Sequence, residues 1–385
     1  MKIGFEAKRA FLNTTGLGYY ARILTSSLAK RFCENTYILF TPKQTDLFDT
    51  SLYPNMQVVK PQSFRGKLFP SYWRSYGVTK DIATMGIDLY HGLSHEIPHD
   101  IHKLRKVKSV VTMHDLITER YPEQYKPIDL KIYRSKYKYA CTHADKILTV
   151  SKQTKQDLID FLKTPEEKIE VCYPSSMEYF TQKKSDAEKQ RIKALYNLPD
   201  QFFLSVGSII TRKNLLTVCK GFYELKNSIN IPLVVIGEGH RYKQEVKRYI
   251  ADKGLTDRII FLNDTPQAKS SHNFANGEDF PAIYQQALCM IYPSTFEGFG
   301  LPILEALQSG LPVITSNVSC LPETGGNAAY YVDPLSTQEM ASAIAAIATD
   351  EMLRNDMIKR GYEHAQFFAQ EKCAERVMNV YTSLF

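Results

Sequence analysis

The chain has 385 residues, 44% of them hydrophobic and 23% charged, which suits two globular cores and excludes a disordered or low-complexity polymer. No run of about 20 apolar residues occurs, so no membrane-spanning helix is expected, and the opening segment Met1–Glu6 turns charged at once, unlike a secretory leader, so the expected location is cytoplasmic. The net charge of +7 is uneven: residues 1–195 carry 32 Lys and Arg against 21 Asp and Glu, the remainder 16 against 20. The first half therefore either meets an anionic partner or presents a solvated basic face.

In chain order, the first strand is expected at Lys2–Phe5, followed by strands at Thr36–Phe40, Asp88–Tyr90, Val107–Met113 and Lys146–Val150. Helical patterns lie between them, at Gly18–Phe32 and Tyr133–His143 for example. Just after the first strand stands Thr15-Gly16-Leu17-Gly18. Its glycines either let backbone approach a phosphate or sugar near a helix N-terminus, or make an ordinary tight turn. Between Lys60 and Lys80, Arg65, Lys67 and Arg74 interleave with Phe64, Phe69, Tyr72, Trp73 and Tyr76. That mixture suits a membrane interface or a lipid-linked glycan, and equally a packed rim helix with solvated charges. His114 falls at the carboxyl end of a strand, where either a structural or a substrate-orienting histidine can sit.

The polar, lysine-rich stretch Thr181–Asp200 is the expected linker. A second strand series follows at Phe202–Val206, Pro232–Ile236, Arg258–Leu262, Leu288–Tyr292 and Leu311–Thr315. These runs are short, β-rich and apolar on both faces, as in parallel strands covered by helices, and the alternation predicts an α/β fold of two Rossmann-like domains facing across a cleft. The expected domains are residues 1–190 and 191–365, followed by a helical segment 366–385.

Two adjacent cations, Arg212 and Lys213, sit in a strand-to-helix loop suited to a diphosphate, although a solvated loop pair reads the same way. The segment Ser294–Leu307 is more specific. It contains Glu297, the loop Gly298-Phe299-Gly300-Leu301, Pro302 at a helix start and Glu305 one turn inside. Glu297 with the loop amides can bind sugar hydroxyls, and the two carboxylate oxygens of Glu305 can take a ribose diol. Favouring the helix dipole would explain Glu305 but not the glycine loop beside Glu297. Seven widely spaced cysteines without a Cys-x-x-Cys pair argue against a disulfide framework or a structural zinc site.

Glu297 and Glu305 resemble the paired-glutamate motif of the retaining glycosyltransferases of family 4, which have the GT-B fold. The likeness extends over nearly the whole chain, with Gly16 and Gly18, His114-Asp115 and Arg212-Lys213 in the family's order. It implies that Arg212 and Lys213 hold the donor diphosphate and that Gly16 and Gly18 approach it from the other domain. Glu297, helped by backbone amides from Phe299, Gly300 and Leu301, would contact the transferred sugar. Glu305 would bind ribose and His114 would touch the sugar near the reacting carbon. It further implies a hexosyltransferase with a nucleotide sugar as co-substrate, no cofactor and no metal, and the chain has no Asp-x-Asp motif. Ser208 departs from the family where some members carry another arginine, and Thr265–Gly277 looks like an insertion near the base.

The strings Leu89–His95 and Arg212–Asn214 look most like bacterial polysaccharide mannosyltransferases. GDP-mannose is thus the first expectation and a UDP-sugar the alternative, with a glycan or lipid-linked glycan as acceptor and peripheral contact at the inner membrane face. The remaining rivals are a nucleotide-sugar epimerase, a phosphorylase (for which no pyridoxal-binding lysine site is evident) and a non-catalytic nucleotide-sugar-binding protein. Nucleic acid is not an expected partner.

Overall fold

A computed structural model describes all residues, Met1–Phe385. Contacts divide the chain into two units, residues 1–176 with 368–385, and residues 177–367.

The first unit is built on a seven-stranded sheet, in order β3-β2-β1-β4-β5-β6-β7. Its strands are β1 (Lys2–Glu6), β2 (Thr36–Phe40), β3 (Met56–Val59), β4 (Leu89–Gly92), β5 (Lys108–Met113), β6 (Lys146–Thr149) and β7 (Ile169–Val171). All pairs are parallel, Ile3 standing opposite both Tyr37 and Leu89. The central strands are buried along almost their whole length, because helices cover the sheet; Ile38, Val111, Ile147 and Leu158 share one core with Trp73.

The second unit carries a six-stranded sheet, in order β10-β9-β8-β11-β12-β13. Its strands are β8 (Phe203–Val206), β9 (Leu233–Ile236), β10 (Ile259–Phe261), β11 (Cys289–Tyr292), β12 (Val313–Ser316) and β13 (Ala329–Val332). They too pair in parallel, over a core that includes Phe203, Phe222, Val235, Ile291 and Ile344.

Each sheet is doubly wound and has one point where the strand order reverses. It lies between β1 and β4 in the first unit and between β8 and β11 in the second. Ligands of such sheets bind outside the carboxyl ends of the strands at that point. The two reversals therefore direct attention to the residues after β1, β4, β8 and β11.

All ten expected strands are present. Three further strands, β3, β7 and β13, lie at sheet edges. The stretch read as a linker holds a helix, Asp186–Tyr196, capped by the Ser185 hydroxyl at its start and by left-handed Asn197 at its end. Its Tyr196 hydroxyl bonds Asp279 Oδ2 at 2.5 Å and its ring packs on Phe274. The first unit accordingly ends at Ser176 rather than near residue 190. Phe274 is buried inside the 265–277 stretch, which forms two short helices, Pro266–Ser270 and His272–Ala275.

The closing helix Gln370–Thr382 belongs to the first unit. Its Tyr381 hydroxyl lies 2.6 Å from His91 Nδ1, and Gln370 Nε2 donates to Ser176 O at 2.8 Å. No helix is long and apolar enough to cross a membrane. Six of the seven cysteines are buried, Cys33 is exposed, and all are free thiols.

Candidate functional site

In the second unit, β8 runs out into Gly207 and then a single 3-10 turn, Thr211–Lys213. Gly207 has φ +136°, a backbone conformation that a side chain would strain. Asn214 follows in the left-handed region, φ +60°. Its amide donates to Pro293 O at 3.3 Å and Pro334 O at 2.6 Å, and its Oδ1 accepts from Thr217 at 2.8 Å. The N–H of Thr295 donates to Arg212 O at 2.9 Å. The loop after β8 is thereby pinned to the loop after β11, and the two cations have little freedom.

Across the strand-order reversal, β11 ends at Tyr292 and leads to Glu297. The Glu297 backbone is gripped by Ser319, whose hydroxyl donates to Glu297 O at 2.9 Å and accepts from its N–H at 3.2 Å. Its carboxylate is almost fully buried. Arg212 Nη1 and Lys213 Nζ each approach Glu297 Oε1 to 2.7 Å, and the Tyr292 hydroxyl donates to the same oxygen at 3.1 Å. Lys213 also bonds the Tyr292 hydroxyl and lies 4.4 Å from the centre of its ring; Arg212 further donates to Phe296 O. Burial alone would raise the Glu297 pKa, but the charges of Lys213 and Arg212 outweigh it and hold the carboxyl at about 2.

After Glu297 the chain turns through Phe299 and Gly300, which has φ +99° and precedes the helix Leu301–Gln308. Leu301 is the first helical residue, where backbone N–H groups lack intrahelical acceptors. Glu305 projects from the same helix, and its Oε2 accepts from the Tyr284 hydroxyl at 3.0 Å. No cation is bonded to it, and burial pushes its pKa up to about 7. Two glutamates eight positions apart thus differ by some five pH units in proton affinity. Arg212, Lys213 and Glu297 are brought into contact; Glu305 lies near enough to feel Lys213 electrostatically.

In the first unit, Gly16 and Gly18 lie in the first turn of the helix Gly16–Arg31 rather than ahead of it. A Cβ on Gly18 would meet Asn13 O at 1.9 Å, so glycine is required there for packing. Its N–H already points to Asn13 Oδ1 and Thr15 O. His114 is buried edge-on to Tyr20, with ring centres 4.6 Å apart. Its Nε2 lies 2.8 Å from Leu93 O; a carbonyl only accepts, so Nε2 carries the proton and Nδ1 a lone pair. Its backbone N–H donates to His95 Nε2 at 2.9 Å. Burial, reinforced by His95, holds His114 down to about 3, so it is a neutral, oriented imidazole and not a general acid.

Sequence reasoning missed Tyr292, Ser319 and Tyr284, and noted Asn214 within the string Arg212–Asn214 without giving it a role of its own. Of these roles only that of Tyr292 carried a signal, its place at a strand's carboxyl end. The other three act through contacts that span 21 to 120 residues of chain.

Comparison with known proteins gives a consistent picture. A profile for "Glycosyltransferase Family 4" matches residues 14–175, and one for "Glycosyl transferases group 1" matches 186–364. The O-antigen chain mannosyltransferase B of Escherichia coli is 30% identical over 301 residues, covering 77% of this chain and 74% of that protein. The O-antigen chain mannosyltransferase RfbU of Salmonella typhimurium is 30% identical over 249 residues, covering 65% and 63%. Among solved structures, a glycosyltransferase from Rickettsia africae superposes with a TM-score of 0.74 at 17% identity, over 99% and 98% of the two chains. HepE of Anabaena, in complex with UDP and glucose, gives 0.73 at 16% identity, over 99% of each. Those two likenesses are of fold.

Proposed function

This chain belongs to the family 4 glycosyltransferases and is a hexosyltransferase, and from that footing we propose that it moves mannose from GDP-mannose to a hydroxyl of a glycan or lipid-linked glycan, with retention and without a metal ion. One observation carries the reading: Arg212, Lys213 and Glu297 converge where the loops after β8 and β11 meet, at the strand-order reversal. Two fixed cations beside a carboxylate suit a departing diphosphate with the sugar next to it.

In this reading the bond from the anomeric carbon to the diphosphate oxygen breaks, and its electron pair leaves with the phosphate. Arg212 and Lys213 stabilise that charge, as a divalent ion would elsewhere. The acceptor oxygen bonds to the same face of the anomeric carbon and passes its proton to the departing phosphate. Glu297, held ionised by two cations, is a poor nucleophile and acts as an acceptor for sugar hydroxyls, with the start of the 301–308 helix beside it. Glu305 takes the ribose diol. By the family likeness His114 would orient the sugar; the N–H of Gly18 is already bonded to Asn13 and Thr15, so it offers a phosphate no donor. Mannose is favoured by the relatives that carry that name; the donor base is read from the same likeness.

A thermal-shift panel without added metal tests this. GDP and GDP-mannose should raise Tm selectively, by several degrees at saturating ligand, and Glu305→Ala should abolish the rise. A selective response to UDP compounds would overturn the donor, and silence to every nucleotide would overturn the transferase reading.

We also propose peripheral contact with an anionic membrane. Phe64, Leu68, Phe69 and Tyr72 are exposed beside Arg65 and Lys67 on the turns from 64 to 72, an apolar patch with flanking cations. Vesicles containing anionic lipid should sediment the protein at low salt and release it at high salt. Failure to sediment at low salt would remove the proposal.

A further inference from the structure

Five residues other than glycine hold a left-handed backbone: His95, Lys163, Asn197, Asn214 and Ser319. That conformation is costly for a residue with a Cβ and persists where the surrounding structure enforces it. Lys163 and Asn197 end helices, a common use of it. Asn214 and Ser319 brace the loops that carry Arg212, Lys213 and Glu297. His95, at φ +61°, ends no helix. The loop it braces carries His114.

β4 and β5 are neighbours, with Gly92 opposite Val111, so residues just past their carboxyl ends come together. The N–H of His95 donates to Thr112 O at 2.9 Å and ties the turn after β4 to β5. Its ring reaches further. His95 Nε2 accepts from the N–H of His114 at 2.9 Å and, more weakly, from that of Asp115 at 3.4 Å. The ring also packs edge-on to His114, with centres 5.2 Å apart, and lies 5.3 Å from the ring of Tyr137.

A ring nitrogen that accepts N–H bonds carries no proton, so neutral His95 carries its proton on Nδ1. Burial, with the charges of Arg9 and Lys136, holds its pKa down to about 3 and keeps it neutral. His114 has the opposite tautomer, with Nε2–H directed at Leu93 O. The segment Leu93–His95 thus grips His114 twice, the ring through Leu93 O and the backbone through His95 Nε2. Glycine would take φ +61° without strain. What histidine adds at this position is its ring, and the ring is engaged with His114.

We propose that His95 is a positioning residue for the transfer, fixing the backbone of His114 so that its Nδ1 lone pair is presented in one direction. The proposal rests on the reading that His114 meets the donor sugar, but the holding itself does not. His95 acts through His114 and not on the reacting atoms.

Nitrogen-15 NMR of the whole chain, labelled at histidine, tests the holding without any donor. Near neutral pH, wild-type His95 should carry its proton on Nδ1 and His114 on Nε2, each as a single form. His95→Gly suits the left-handed backbone and removes the acceptor, and in it His114 should lose that single form. A proton on Nε2 of wild-type His95, or an unchanged His114 in the variant, would overturn the proposal; the wild-type spectrum decides if the variant fails to fold. Turnover is read as release of GDP from GDP-mannose. In His95→Gly kcat should fall about 10–10²-fold, the scale of a small misplacement near reacting atoms, with the donor KM within about threefold. His95→Gln returns an acceptor of similar reach on a backbone it suits less, and should recover kcat more fully than Tm. In a His114→Ala background, His95→Gly should cost less than about twofold more, because its effect passes through His114. Full additivity of the two substitutions, or kcat following Tm through the series, would overturn the proposal. A changed His114 spectrum with kcat unaffected in both His95→Gly and His114→Ala would leave the holding in place and overturn the sugar-orienting reading of His114.

Discussion

Lys213→Ala is expected to lower kcat by about 10²–10³-fold, the usual cost of deleting one preorganised stabiliser of developing negative charge. Lys213 is fixed from several sides. Its ammonium pairs with Glu297 at 2.7 Å, bonds the Tyr292 hydroxyl and lies against that ring. A buried cation so placed needs no reorganisation when a diphosphate departs. The same substitution leaves the Glu297 carboxylate with Arg212 as its remaining cationic partner, so stability should fall by about 1–3 kcal/mol. Lys213→Arg keeps the charge but replaces a compact ammonium by a planar fork, and should recover stability more fully than turnover. Release of nucleoside diphosphate measured beside thermal melts separates the two effects. A kcat within threefold of wild type in Lys213→Ala would discard the diphosphate role.

The second large effect is in pH. Burial raises the folded-state pKa of Glu305 from the usual 4.5 to about 7, so the folded chain holds an extra proton between those values. Stability from this group is therefore greatest at acid pH and declines as pH rises from about 4.5 through 7. Ligand binding runs the opposite way. A ribose diol donates to the ionised carboxylate, and below pH 7 the donor must first displace a proton. Donor affinity should weaken by up to tenfold per pH unit on going from 7 towards 5. Glu305→Gln cannot titrate; it should flatten this profile and raise the donor KM by about 10–10²-fold at pH 8, as expected for losing hydrogen bonds to a charged acceptor. A donor KM profile in the variant that still bends near pH 7 would assign the ionisation to another group. Glu297, already ionised far below this range, contributes nothing to the profile.

Much of the architecture was readable from residues alone. Parallel strands covered by helices on both faces must be apolar throughout, and runs such as Leu233–Ile236 and Cys289–Tyr292 are buried at every position. Met56–Val59 and Ile169–Val171 escaped notice because a polar residue interrupts each short run, and Ala329–Val332 because only its last residue is fully buried; the edge strand Ile259–Phe261, apolar throughout, was readable. For the three that escaped, the pairing that makes each a strand comes from its neighbour. Arg212, Lys213, Glu297 and Glu305 were legible for a different reason. Each lies in a short segment whose glycines, proline and charges suit one local geometry, the strand-to-helix turn, and that geometry is written in consecutive residues.

Tertiary structure alone decided what those residues do to one another. Nothing in the spacing of Glu297 and Glu305 says that one is ionised and the other poised near neutrality; that difference arises because two cations from the loop after β8 reach Glu297, while Glu305 meets only a tyrosine hydroxyl. Nor does any local pattern join His95 to the N–H groups of His114 and Asp115, 19 and 20 residues on, which it meets because β4 and β5 are neighbours. Hydrophobic periodicity records which face of an element is buried, a property of neighbours in sequence. Proton affinity and the partner of a hydrogen bond depend on distances of a few ångströms between remote parts of the chain, and those exist only once the sheets have ordered their strands.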